Sequence, residues 1–256
     1  MKSEKQSNLW SIIWVLAKTD FKLRYEGSVL GFLWVILKPL GIFFVLNLVF
    51  MNIFKGEHAY SVGMFTGLIL WNFFSEGTMT GMTSLVVKSH IVKKIYIPRW
   101  VIIIASTLNT LFNFLLNLIV LALFYVAYGV TPGIGYILLA LFYCFLIYVI
   151  IVGFSFVTAP LFPRLRDLNQ IWEVLLVAGF YSAPIIYPID LLPRAIQSVL
   201  YINPMTFIIV HVKALLIDQQ FLFIQHGLYF TVLVVVGFLV STWMFRKSAR
   251  HVAEYL

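Results

Sequence analysis

Apolar runs as long as a bilayer is thick decide what this chain can fold into. Segments 31–53, 62–85, 100–128, 134–159 and 222–245 are dominated by Leu, Ile, Val and Phe, and a shorter run occupies 172–187. A helix needs roughly 20 apolar residues to cross about 30 Å of hydrocarbon. Inside lipid only helices and closed barrels satisfy their own backbone hydrogen bonds. Charged residues make up 11% of the 256 positions and hydrophobic ones 62%, whereas soluble chains carry about 25% charge. These runs predict an all-α integral membrane protein with six transmembrane helices. The lone Cys144 excludes an intrachain disulfide and argues against a thiolate metal site.

The charges orient the spans. With both termini in the cytoplasm, 15 of the 18 basic residues fall on the inside, and only Lys55, Arg194 and Lys213 fall outside. That satisfies the positive-inside rule. The net charge of +8 is therefore read as contact with the anionic leaflet and not with nucleic acid. Segment 205–217 contains His211 and Lys213 and has only thirteen residues, so it reads as a re-entrant or interfacial helix. Counting it as a span would move Arg246, Lys247 and Arg250 outside. Pro184, Pro188, Pro193 and Pro204 break the preceding stretch repeatedly. Broken backbone at membrane depth belongs against protein or a water-filled cavity, and 188–217 is expected to form an outer cap of short re-entrant helices.

Two further segments look interfacial. Residues 8–26 place Trp10, Ile13, Trp14 and Ala17 on one helical face and Ser11, Lys18 and Lys22 on another, as an amphipathic helix would. No cleavable leader is evident in the polar MKSEKQSN and the short apolar stretch behind it. Between the second and third spans, 88–97 mixes Lys88, Lys93 and Lys94 with Ile91, Ile95 and Tyr96. In a helix Ile91 and Ile95 share a face flanked by the two lysines. Such a helix lies on a membrane or docks in a groove of another protein.

Polar residues inside the spans mark surfaces that avoid lipid. Ser106, Asn109, Asn113 and Asn117 recur every three or four residues, with Thr110 beside them. Buried amides seek partners, so this stripe makes helix contacts or lines a wet pathway. Glu76 lies between Asn72 and Thr80 on one face of the second span, where an ionised carboxylate has to face protein or water. That carboxylate is either a conduit wall or a buried hydrogen-bonding group. No GxxxxGK[ST] phosphate loop, HExxH or GxSxG occurs, and the five histidines lack metal spacing.

The motifs RYEGSVLGFLWVILKPL (24–40), KKIYIPR (93–99), PLFPRLRDLNQI (160–171), SAPIIYPIDLLP (182–193) and INPMT (202–206) occur in this order along the chain. Together they resemble the transmembrane subunit of a type-2 ABC exporter, of the branch that exports O-antigen, capsular polysaccharide or teichoic acid. Glu26 stands where that family usually has a basic residue. The resemblance implies a bacterial inner-membrane permease, not an enzyme, with no cofactor of its own. ATP and Mg would be handled by two separate ATPase subunits, and the chain would pair with a second copy. It implies that 88–97 is a coupling helix seated on the ATPase through Lys88, Ile91, Lys93, Lys94, Ile95 and Tyr96. A polyprenyl-diphosphate-linked glycan would be the cargo, resting on aromatic faces such as Trp71, Phe73, Phe74, Phe180 and Tyr181. Lys22 and Arg24 would meet the diphosphate or merely flank the membrane. Three rivals stand beside this reading: an exporter of small hydrophobic compounds, a non-transporting assembly protein and a membrane enzyme.

Overall fold

The computed structural model describes residues 2–51, 53, 58–94, 97–222 and 224–248; within its helices the side chains of 2–8, 24–25, 58, 92–94 and 224 lie outside that description. The described residues are helical, with short turns between. The order is α1 (Lys2–Tyr25), α2 (Trp34–Phe50), α3 (His58–Val87), α4 (Ser89–Lys94), α5 (Arg99–Ala127), α6 (Ile134–Leu161), α7 (Leu168–Ser182), α8 (Arg194–Leu200), α9 (Pro204–Lys213) and α10 (Ile224–Ser248). A single 3₁₀ turn, Gly31–Leu33, leads into α2, and a π turn, Ala214–Asp218, continues α9.

The ends of these helices follow from local chemistry. Pro98 is extended, with ψ 129°, and α5 starts after it. α5 stops at Gly129, which takes φ 70°. There the Val130 N–H donates to Tyr125 O (2.9 Å) and the Gly129 N–H to Val126 O (3.1 Å), the paired bonds of a left-handed glycine cap. α7 stops at Ser182 because Ala183, which precedes Pro184, is extended. Asn203 caps α9 by accepting from the Met205 N–H (2.9 Å), with Pro204 in the first helical position.

Among the described residues, four helices are long and apolar enough to cross a membrane: Gly31–Phe50, Arg99–Ala127, Ile134–Leu161 and Gln225–Ser248. The pair Arg194–Leu200 and Pro204–Asp218 bends by 110° and makes a fifth if counted as one span. This is an all-α multi-pass membrane fold with a re-entrant-like pair before its last helix. α3, although 30 residues long, carries Asn72, Ser75, Glu76 and four threonines. It can afford that polarity because α2, α5, α6, α7 and α9 pack around it. α7 has 15 residues, about 22 Å at 1.5 Å per residue, so the helical part of the expected 172–187 span is shorter than a bilayer core.

Small residues set the central packing. A Cβ on Gly77 would lie 2.6 Å from Ile151 Cδ1, and one on Gly81 would overlap the Ser155 hydroxyl. α6 therefore approaches the α3 backbone closely, as small residues permit in membrane helices. Phe43 of α2 sits 4.9 Å from Phe65 of α3 and 5.0 Å from Phe124 of α5, ring centre to ring centre. Around the periphery the apolar surface is uncovered: Leu48 is 78% exposed, Val126 72% and Leu233 69%. Such a surface suits acyl chains and not water.

α1 runs along α5. Ile13 is buried against Val101 and Ala105 and Ala17 is buried too, while Trp10 and Trp14 are exposed. The face that looked uniform in sequence is thus divided between protein and surroundings. Trp14 still touches Phe112 edge-on at 5.7 Å.

Candidate functional site

A cleft of about 830 Å³ opens between α2, α3, α5 and α7. Its floor is the polar face of α3 and α5. Asn113 Nδ2 donates to Glu76 Oε1 (3.0 Å), and Asn117 Nδ2 donates to the Asn113 carbonyl (2.8 Å). Glu76, Asn113 and Asn117 all line the cleft, with Asn72, Thr80 and Thr110 beside them. The stripe read along one helix and the carboxylate read on another therefore meet across a single helix contact that also faces the cavity. Asn109 is buried but is not on the wall. Its Oδ1 and the Thr110 Oγ1 have no hydrogen-bond partner among the described residues.

Aromatic rings form one side of the cleft. Trp71, Phe73, Phe180 and Tyr181 line it. Phe73 stacks on Phe114 at 4.0 Å with the rings 10° from parallel. Trp71 lies against Phe180, centroids 6.3 Å apart, and the indole fits only because position 179 is glycine: a Cβ there would come within 2.6 Å of Trp71 Cη2. Phe74 stands behind the wall, between Trp71 (5.7 Å) and Trp172 (6.3 Å). Trp172 Nε1 in turn donates to Thr78 Oγ1 (3.0 Å), which fixes α7 on α3.

Lys38, Trp34 and Pro39 of α2, together with Glu173 of α7, also line the cleft. They were not among the candidates read from the sequence. The available signal was a lysine followed by a proline inside an apolar run, because ionisable groups at membrane depth face protein or water. Lys38 and Glu173 are exposed, so the mouth of the cleft carries charges of both signs.

The basic residues read as partner-facing lie elsewhere. Lys88 is buried and pairs with Asp20 of α1. Ile91 in α4 is half-buried. Lys93 and Lys94 are in α4, with side chains outside the description, and Ile95 and Tyr96 lie outside the described residues. Lys22 is exposed on α1; Arg24 is in the same helix, with its side chain outside the description. Among the described side chains, neither Lys22 nor those of α4 line the cleft. Among the described residues no group of three His, Cys, Asp or Glu side chains could hold a metal, and Cys144 is buried.

The sequence profile of the ABC-2 type transporter family matches residues 11–217. The chain belongs to that family. It is similar to an O-antigen export system permease protein RfbA of Klebsiella pneumoniae, at 28% identity over 97% of this chain and 96% of that protein. A second Klebsiella pneumoniae RfbA is 26% identical with the same coverage. The RfbA of Myxococcus xanthus is 28% identical over 83% of this chain and 80% of its own length. As an ABC-2 permease subunit the chain conducts and does not catalyse. The matched region includes the cleft, α4 and the bent pair α8–α9.

Proposed function

We propose that this ABC-2 permease is the membrane half of an ATP-driven exporter that moves a polyprenyl-diphosphate-linked polysaccharide of the O-antigen type from the cytoplasm to the outer side of a bacterial inner membrane. Two copies pair with each other and with two ATPase subunits. In each copy α2, α3, α5, α6, α7 and α10 are the six crossings; α7 completes its passage through the non-helical 183–187, and both termini are cytoplasmic. Segment 88–97 seats on the ATPase, and ATP-driven closure of the ATPase pair shifts a bistable membrane dimer between two arrangements.

One observation carries this reading: the cleft combines flat aromatic faces, Trp71, Phe73 and Phe180, with the amides and carboxylate of Asn113, Asn117 and Glu76. Sugar rings have apolar faces that stack and hydroxyl rims that hydrogen-bond. A polymer moved stepwise needs such contacts repeated and individually weak. The full-length similarity to O-antigen permeases supports the same cargo class.

The test is reconstitution. The chain is co-purified with the ATPase subunit proposed as its partner and placed in proteoliposomes with a fluorescent polyprenyl-diphosphate glycan. ATP-dependent protection of the glycan from an external glycosidase is the expected result. Transport of small hydrophobic dyes with no glycan movement would reassign the cargo, and a chain that never associates with an ATPase would end the proposal.

A further inference from the structure

A second pocket, of about 280 Å³, lies between α6, α9 and α10, away from the cleft. Its walls are almost wholly apolar, including Phe142, Leu222, Leu228 and Val232. His211 also lines it, 6% exposed. Its Nδ1 lies 2.8 Å from the Phe207 carbonyl. A carbonyl only accepts, so Nδ1 carries the proton and the neutral ring presents Nε2 as a bare acceptor. That Nε2 is buried with no hydrogen-bond partner among the described residues. An orphaned buried acceptor is destabilising, and a ligand with one donor removes that cost.

The walls say which donor fits. A water needs two to four polar partners, and cavities lined by Leu and Phe stay dry. The Thr231 hydroxyl is committed to the Gly227 carbonyl (2.8 Å). The Tyr143 hydroxyl is turned to α10, where a Cβ on Gly227 would come within 2.8 Å of it. Beyond Nε2 a water would find at most the Tyr143 hydroxyl, the low end of what it needs in walls otherwise apolar. A chain molecule with one hydroxyl matches both the acceptor and the walls. Leu228 and Val232, 64% and 54% exposed, place the pocket's rim on the apolar outer surface of α10, where membrane molecules reach it. Its volume is just under the roughly 300 Å³ at which small-ligand sites begin, enough for the head end of one chain.

We infer that this pocket binds a membrane amphiphile bearing a hydroxyl, which donates its hydrogen bond to His211 Nε2 while the chain lies along Phe142, Leu222, Leu228 and Val232. The test uses the full chain in proteoliposomes with a long-chain alcohol that carries a diazirine in its chain. Adducts are mapped by mass spectrometry. Labelling is expected on 139–143 and 221–232, and 1-dodecanol should displace it roughly tenfold better than dodecyl methyl ether, which has the same chain and no donor. His211→Phe should erase that preference. Val232→Trp, which fills the rim from the exposed side, should abolish the labelling itself. Equal competition by alcohol and ether in the unaltered protein overturns the inference, as does labelling that survives Val232→Trp. Should His211→Phe not accumulate, the alcohol–ether comparison and Val232→Trp decide alone.

Discussion

In the sequence Lys88 reads as a basic residue of a segment that docks on a partner or lies on the membrane; in the fold it is buried. Its partner is Asp20, at the far end of a different helix. No local pattern discloses a pairing across 68 positions. The pair is well covered, with 7% of the lysine side chain and 24% of the aspartate exposed, so each charge depends on the other. Breaking a buried pair from one side leaves the remaining ion uncompensated, at a cost of about 3 kcal/mol. Lys88→Met should therefore lower the thermal midpoint of the detergent-solubilised protein, and adding Asp20→Asn should restore most of the loss. Single and double variants of equal stability would show that the pair holds nothing. The same reasoning applies to Glu76. Glu76→Gln keeps an acceptor for Asn113 Nδ2 and should change stability by well under 1 kcal/mol, whereas Glu76→Ala removes that acceptor and should cost about 1–3 kcal/mol. Urea or heat titration of the two variants side by side separates them.

At the scale of elements, the long apolar helices were readable because lipid demands composition as well as length. α3 and α7 were harder. α3 is sheathed by other helices and is free to be polar. α7 leans on α3 along one side, with Leu176 buried while Val174, Leu175 and Val177 stay exposed, and Pro184 cuts it short. The outer cap was visible as a row of prolines, but what holds it was not. Lys213 Nζ donates to the carbonyls of Pro184 (2.6 Å) and Ile185 (3.2 Å). The lysine stem passes Gly67 of α3, where a Cβ would come within 3.3 Å of its Cε. One lysine side chain thus ties α9 to the backbone just beyond α7. Lys213→Met keeps the length of the stem and removes the donors. Hydrogen exchange should then quicken at 183–187 and along α9 while α10 is unchanged; uniform protection in both would show that the lysine is not the tie. Read on the sequence alone, Lys213 was one of three basic residues on the wrong side of the membrane, and its place in the fold explains that exception.

For the whole molecule the question is what covers the open side of the cleft. α7 turns Val174, Val177 and Tyr181 outward, at 68%, 55% and 65% exposed, and Val177 and Tyr181 also line the cavity. A face that is both cleft wall and outer surface is incomplete in one copy: left to lipid, the proposed glycan route would lie open to acyl chains. Under the proposed pairing a second copy supplies the missing wall, with α7 near its counterpart across a two-fold axis. Residues on such an axis lie close to themselves. Val174→Cys in a Cys144→Ala background should therefore form a disulfide dimer under mild oxidation in native membranes, and Leu233→Cys on the lipid-facing side of α10 should not. Cross-linking at Leu233 with none at Val174 would place the second copy on the opposite face and leave the cleft without its partner wall. If Val174 cross-links and the cross-linked pair still hydrolyses ATP with its partner but no longer moves glycan, then α7 has to separate from its counterpart for cargo to pass, and the cleft is the route.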